Sequence, residues 1–148
     1  MRSARNTAFL CLALLGPASA PAAGDPAAAV SEWLVQARAQ VPQMDTATLE
    51  EWVASDREFV LLDVRLPRER QAQGSIDPFR EVDIARGYLE LKAPDKLPDT
   101  SANIVVYCGT GKRSLLAART LQRMGYSEVA NYADGLQAWK EAGLNVAP

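Results

Sequence analysis

Three consecutive pieces decide the fold: NIVVYC (Asn103–Cys108), GTGKRS (Gly109–Ser114) and LLAARTLQRM (Leu115–Met124). The first is a short apolar run without alternation. That pattern predicts a strand buried on both faces, and hence a parallel sheet. In the second, Gly109 and Gly111 let the backbone curl tightly. The third predicts a helix from about Ser114, with Ala117, Leu121 and Met124 on one face and Gly125 at its end.

The same alternation extends outward. EFVLLDV (Glu58–Val64) is another buried strand, and Pro67 opens a short helix, PRERQAQ, that Gly74 closes. Residues Ser75–Pro98 read as irregular apart from a short EVDI strand. EVANY is a further strand, Asp134 and Gly135 form a turn, and GLQAWKEA is a helix stopped by Gly143. Upstream, Asp45 or Thr46 caps a helix carrying Leu49, Trp52 and Val53. Before it, an Ala/Pro-rich linker runs to about Ala28. VSEWLVQARAQV then forms a helix with Val30, Trp33, Leu34 and Ala37 on one face, ended by Pro42. That helix is either packed on the domain or a mobile arm. Trp33, Trp52 and Trp139 are expected to be packing residues. Strands alternating with helices give an α/β fold, a single domain with a central parallel sheet flanked by helices.

The chain has 148 residues, two cysteines and no histidine, with 48% apolar and 23% charged residues. One ordinary globular domain fits that length and composition. The missing histidine excludes Ser-His-Asp and Cys-His catalysis and His-ligated zinc or haem. At the start, MRSARNT is basic, AFLCLALLG is apolar and PASAPAAG is small-residue rich. This is the pattern of a secretory signal peptide, residues 1–23, with cleavage between Ala20 and Ala23. The apolar run is shorter than the ~20 residues needed to span a bilayer. The expected organisation is therefore 1–23 signal, 24–45 linker and N-terminal helix, and 46–148 the folded domain, exported to the periplasm or secreted. Loss of the signal removes Cys11 and leaves Cys108 alone, so no internal disulfide forms in the mature chain. Arg2 and Arg5 leave too, with no acid, so the net charge moves from −2 to −4. That balance disfavours nucleic acid or an anionic membrane as partner.

Cys108 falls at the carboxyl end of a central strand, where sites form in open α/β sheets. The N–H groups of the glycine loop can form an anion nest. The helix start adds partial positive charge, and Lys112 and Arg113 add two full charges. All three favour a cysteine thiolate without a histidine. A phosphate loop does not fit, because Val106 stands five residues before Gly111 and Arg113 follows Lys112. Cysteine phosphatases have Cys, five residues, then Arg; here only four residues separate Cys108 from Arg113. The smaller loop suits a terminal sulfur better than a tetrahedral phosphate. Asp63 ends a buried strand, so its charge should be paired. A contact with Arg65 or with backbone that braces the loop is the expected role. Arg86 is a candidate for the entrance.

These motifs resemble the single-domain rhodanese (sulfurtransferase) family from about Thr46 to Val146. LLDVR (Leu61–Arg65) is similar to the family's Asp-x-Arg motif. RGYLE (Arg86–Glu90) resembles a segment of many members. VVYCGTGKRS is similar to the active loop, and YADGLQAWKEAGLNV to the closing Gly- and Trp-containing signature. Members commonly carry Gly-His-Ile-x-Gly-Ala after the short helix. Here the stretch is GSIDPFREVDI, with Ser75 in place of the histidine, which leaves the path of the Asp77–Glu81 turn open.

The resemblance implies a persulfide cycle. Cys108 takes a sulfane sulfur from a small anionic donor such as thiosulfate and passes it to a thiol or cyanide. Gly109, Thr110, Gly111 and Ser114 would hold the sulfur through backbone N–H groups, and Lys112 and Arg113 would hold the donor. Neither a metal nor a cofactor is implied. The competing expectations are a non-enzymatic sulfur-carrier or partner-binding module, its protein partner unidentified, and, further off, a cysteine phosphatase.

Overall fold

The computed structural model describes residues 24–148. The expected signal peptide, with Cys11, lies outside them. Five strands form one sheet: β1 Gln43–Met44, β2 Val60–Asp63, β3 Glu81–Asp83, β4 Ile104–Tyr107 and β5 Val129–Tyr132. The order is β1-β5-β4-β2-β3 and every pairing is parallel. All four residues of β4 are buried, as a run without alternation requires of the middle strand. Register aligns Leu62 with Val106 and Asp63 with Tyr107. The two central strands therefore end side by side.

Six helices cover the two faces: α1 Pro26–Gln40, α2 Thr46–Ala54, α3 Pro67–Gln73, α4 Leu89–Lys96, α5 Lys112–Arg123 and α6 Gly135–Glu141. Successive side chains of a strand point to opposite faces, and the core divides accordingly. Leu62, Ile104, Val106 and Cys108 pack with Ala37 of α1, Leu89 and Ala93 of α4, and Leu115, Ala118 and Leu121 of α5. Leu61, Val105, Tyr107 and Tyr132 pack with Leu49 of α2 and Leu136 and Trp139 of α6.

Several boundaries differ from the sequence expectation. α1 begins at Pro26, because the Asp25 carboxylate accepts the Ala27 N–H at 2.9 Å. The expected linker to Ala28 is thus already helical. The helix is packed against α5, seated by Ala37 and Leu34. Val30 and Trp33 are 43% and 58% exposed, so Trp33 is not a packing residue. β1 is two residues long, too short to leave a pattern.

The stretch Ser75–Pro98 is more ordered than expected. A 3-10 turn, Arg86–Tyr88, leads into α4, which contains Pro94. That proline forfeits a bond to the Glu90 carbonyl. Glu90 is exposed to water, however, and the fully buried pair Leu89 and Ala93 holds the helix to the sheet. Packing overrides local propensity here. The Asp77–Glu81 turn is closed by Arg80, which pairs with Asp77 at 2.6 Å and donates to the carbonyls of Val53 and Ser55. α5 starts at Lys112 rather than Ser114, since Gly111 at φ +79° supplies the entry.

Candidate active site

β4 delivers Cys108 to its carboxyl end, and the chain reverses through Gly109–Gly111 into α5. The cysteine is 1% exposed. The Ser114 hydroxyl lies 3.5 Å from Sγ and 3.1 Å from the Gly111 carbonyl, and its single proton serves one of them at a time. The Leu136 N–H donates to the Cys108 carbonyl at 2.9 Å, and the Gln137 N–H to the Gly109 carbonyl at 3.1 Å. A trans peptide points its N–H opposite its C=O, so the N–H groups of Gly109 and Thr110 turn away from α6. The N–H groups of Gly109, Thr110 and Gly111 find no protein acceptor among the described residues. Those of Lys112, Arg113 and Ser114 belong to the first helical turn, where N–H groups have no intrahelical partner. Six consecutive donors thus follow the cysteine along the loop and into the first turn of α5.

Two glycines fix this loop against the turn before α6. A Cβ on Gly111 would run into the Ala133 carbonyl, and one on Gly135 (φ +75°) would reach the Gly109 carbonyl. The turn is itself anchored from β1's side of the sheet. Asp134 Oδ2 accepts from the Thr46 N–H and hydroxyl, both at 2.9 Å.

Arg113 leans over Gly109. Its guanidinium donates to both carboxylate oxygens of Glu69 in α3, at 2.7 and 2.8 Å. Those bonds, aided by the Leu66 N–H, bring the Glu69 pKa down to about 2. They also raise the pKa of Arg113, to which the nearby Cys108 adds a smaller push in the same direction. Glu69, Gln73, Thr110, Arg113, Gln137 and Lys140 border a cavity of about 360 Å³ beside the loop. Cys108 is buried and does not line it, but the next residue, Gly109, does.

Asp63 and Arg65 are both fully buried. Arg65 Nε reaches both carboxylate oxygens at 3.0 and 2.9 Å and Nη2 reaches Oδ2 at 2.6 Å. Nη2 also donates to the Gly74 carbonyl at 2.7 Å and lies 3.2 Å from the Tyr107 hydroxyl, so its two protons are shared among three acceptors. Burial works against the charged guanidinium, yet the pairing with Asp63 leaves its pKa raised. The Tyr107 hydroxyl donates to Glu81 at 2.6 Å, and the Ser75 hydroxyl donates to the other Glu81 oxygen at 3.0 Å. This network joins the end of α3 to the residue before Cys108.

The remaining sequence candidates lie elsewhere. Lys112 is exposed and does not border the cavity, whereas Lys140, which sequence reading missed, does. Arg86 is not at this entrance. It pairs with Glu90 at 3.0 Å and donates to Thr120 at 3.1 Å, facing a different cavity. Glu69 was legible only as the N3 residue of α3, whose carboxylate takes the Leu66 N–H. Its partner stands 44 positions away.

The family model of the rhodanese-like domain matches residues 45–142. The chain belongs to the rhodanese-like family. This rhodanese-like domain is 30% identical over 106 residues to a sulfurtransferase from Allochromatium vinosum, covering 72% of this chain and 94% of that one. Its fold matches a solved structure from Rhodopseudomonas palustris CGA009, described as of unknown function and a possible tyrosine phosphatase. There the identity is 32% and the TM-score 0.69, over 88% of this chain and 99% of the other. It also matches the polysulfide-sulfur transferase homodimer of Wolinella succinogenes at 28% identity and TM-score 0.69, over 81% and 88% of the two chains. Curated relatives at about 30% identity support the general sulfurtransferase class for this rhodanese-like domain. The family model begins after α1, whereas the Rhodopseudomonas palustris structure, matched over 88% of this chain, extends to residues before it.

Proposed function

We propose that the protein is an exported sulfurtransferase working through a persulfide on Cys108. The observation that carries this is the run of six backbone donors without protein acceptors, Gly109–Ser114, that directly follows a free cysteine, with Arg113 leaning over Gly109. In the first half-reaction the Cys108 thiolate attacks the outer sulfur of thiosulfate. A new S–S bond forms, the bond to the sulfonate sulfur breaks, and its electron pair leaves with sulfite. The loop N–H groups hold the negative terminal sulfur of the resulting persulfide. A thiolate or cyanide then attacks that sulfur and Cys108 departs as the thiolate. Protons balance without a histidine, because nucleophile and leaving group are both anions at each step.

Relatives that are sulfurtransferases support this reading, and so does the short span from Cys108 to Arg113. Arg113 and Lys140 are the cavity cations suited to an anionic donor. Export rests on the basic, apolar and small-residue pattern of residues 1–23.

The test mixes purified protein with thiosulfate and cyanide and follows thiocyanate. Turnover that disappears in Cys108→Ser is expected. Turnover undiminished in that variant would overturn the mechanism, as would hydrolysis of an aryl phosphate with no thiocyanate formed. Intact mass after donor alone should show one added sulfur. Protein recovered from the exported fraction should begin between residues 21 and 24.

A further inference from the structure

α1 lies outside the matched residues 45–142, yet it builds one wall of a cavity larger than the one beside Arg113, about 510 Å³. Trp33, Gln36 and Gln40 line that wall. Arg119 and Arg123 of α5 rise from the floor, and Arg86 closes the far side. The trough therefore runs along the outer face of α5, between α1 and the 3-10 turn.

Its chemistry is unlike the rest of the surface. The mature chain carries a net negative charge, but three arginines converge here. Arg86 is matched by Glu90 at 3.0 Å. Arg119 and Arg123 have no carboxylate within 4.0 Å among the described residues. They stand one turn apart, so their side chains are neighbours on the helix surface. Beside them Trp33 is 58% exposed, with an indole that the fold does not use for its own core. Tyr88 on the 3-10 turn and Leu91 on α4 are also 57% and 78% exposed. Tryptophan and arginine are the residues that most often dominate protein interfaces. An inorganic anion would satisfy the guanidinium groups but leave the indole and the neighbouring Leu116 unused.

We propose that this trough docks an acidic polypeptide segment of a partner protein. Its carboxylates pair with Arg119 and Arg123, and an apolar side chain covers Trp33. The site is separate from the sulfur chemistry and does not depend on it. α5 spans 12 residues, about 18 Å at 1.5 Å per residue. A partner seated at its far end leaves the cavity at its start open.

The test uses fluorescein-labelled short peptides containing two Glu or Asp residues and one Leu, Phe or Trp, titrated into the purified chain and read by anisotropy. Acidic members should bind, with indole emission shifted to the blue as Trp33 is covered. The double reversal R119E/R123E should weaken binding about tenfold or more, and Trp33→Ala severalfold, as central anchors do. Arg57→Glu, on a residue stacked over Trp52, should leave it unchanged and serves as the control for general charge. Three results would overturn the proposal: Lys-for-Glu peptides binding as tightly, binding that survives the double reversal, or displacement by inorganic phosphate at concentrations matching the peptide, which would assign the trough to a small anion.

Discussion

Glu69 and Arg113 form a two-pronged ion pair, 2.7 and 2.8 Å, in the lining of the cavity next to the active loop. Such planar pairing fixes the guanidinium in orientation as well as position. It also neutralises it. Lys140 is left as the cavity cation with no carboxylate within 4.0 Å among the described residues.

Removing the negative charge while keeping the shape separates these two effects. Glu69→Gln should lower the KM for thiosulfate severalfold, because a dianion no longer meets a carboxylate. Glu69→Ala should instead lower kcat, because Arg113 loses its anchor. Steady-state thiocyanate kinetics read both. A higher KM in Glu69→Gln would mean that the carboxylate acts purely as an anchor.

The two lysines make a second comparison. Lys140 borders the cavity and Lys112 faces solvent. Lys140→Ala should raise the KM for thiosulfate severalfold with little change in kcat, and the effect should fade in high salt. Lys112→Ala should do far less. The opposite ranking would show that the donor approaches from the outer side of the loop.

The buried Asp63–Arg65 pair sets a stability prediction. Breaking a fully buried pair from one side leaves an uncompensated charge, which costs about 3–5 kcal/mol. Asp63→Ala should lose stability of that order in urea unfolding. Arg65→Lys should also be destabilising, since an ammonium cannot reach Asp63, Gly74 and Tyr107 together.

Acid sensitivity follows from the Glu69 shift. Its carboxyl titrates near 4.5 when unfolded and at about 2 when folded. The unfolded chain therefore binds the proton first, and the stabilisation is complete above about pH 4.5 and drains away as pH falls toward about 2. Glu81 runs the other way. Burial raises its pKa in the fold, so its contribution favours the folded state at lower pH and is lost as pH rises. Urea midpoints measured across that acid range should fall less steeply in Glu69→Gln than in the wild type.

The sequence made the strand–loop–helix unit legible because its periodicities are strong and local. β4 is apolar throughout, and the glycines flank a cysteine. The need to pair Asp63 was legible because a charge at the end of a buried strand requires a partner. Arg65 or backbone was the expected one, and Asp63 takes both the Arg65 guanidinium and the Arg65 N–H. Glu69 with Arg113 and Lys140 with the cavity were not legible, because they meet only when α3, α5 and α6 pack around the loop. α4 escaped notice because Pro94 argues against a helix locally, while the burial of Leu89 and Ala93 that secures it is a property of the whole fold. Trp33 misled for the converse reason. Its spacing fits an apolar face, but the neighbouring α5 offers arginines there instead of a core.

The hydrogen bonds from Thr46 to Asp134 set a limit on how far the protein can be trimmed. Asp134 precedes the glycine that clasps the active loop, so the buttress of that loop rests on a contact that spans 88 positions of sequence, from Thr46 to Asp134. A shortened version that starts beyond Thr46 would keep every residue of the loop and lose what holds its shape. The minimal unit that retains a formed loop begins no later than Asp45, the position at which the family match also begins.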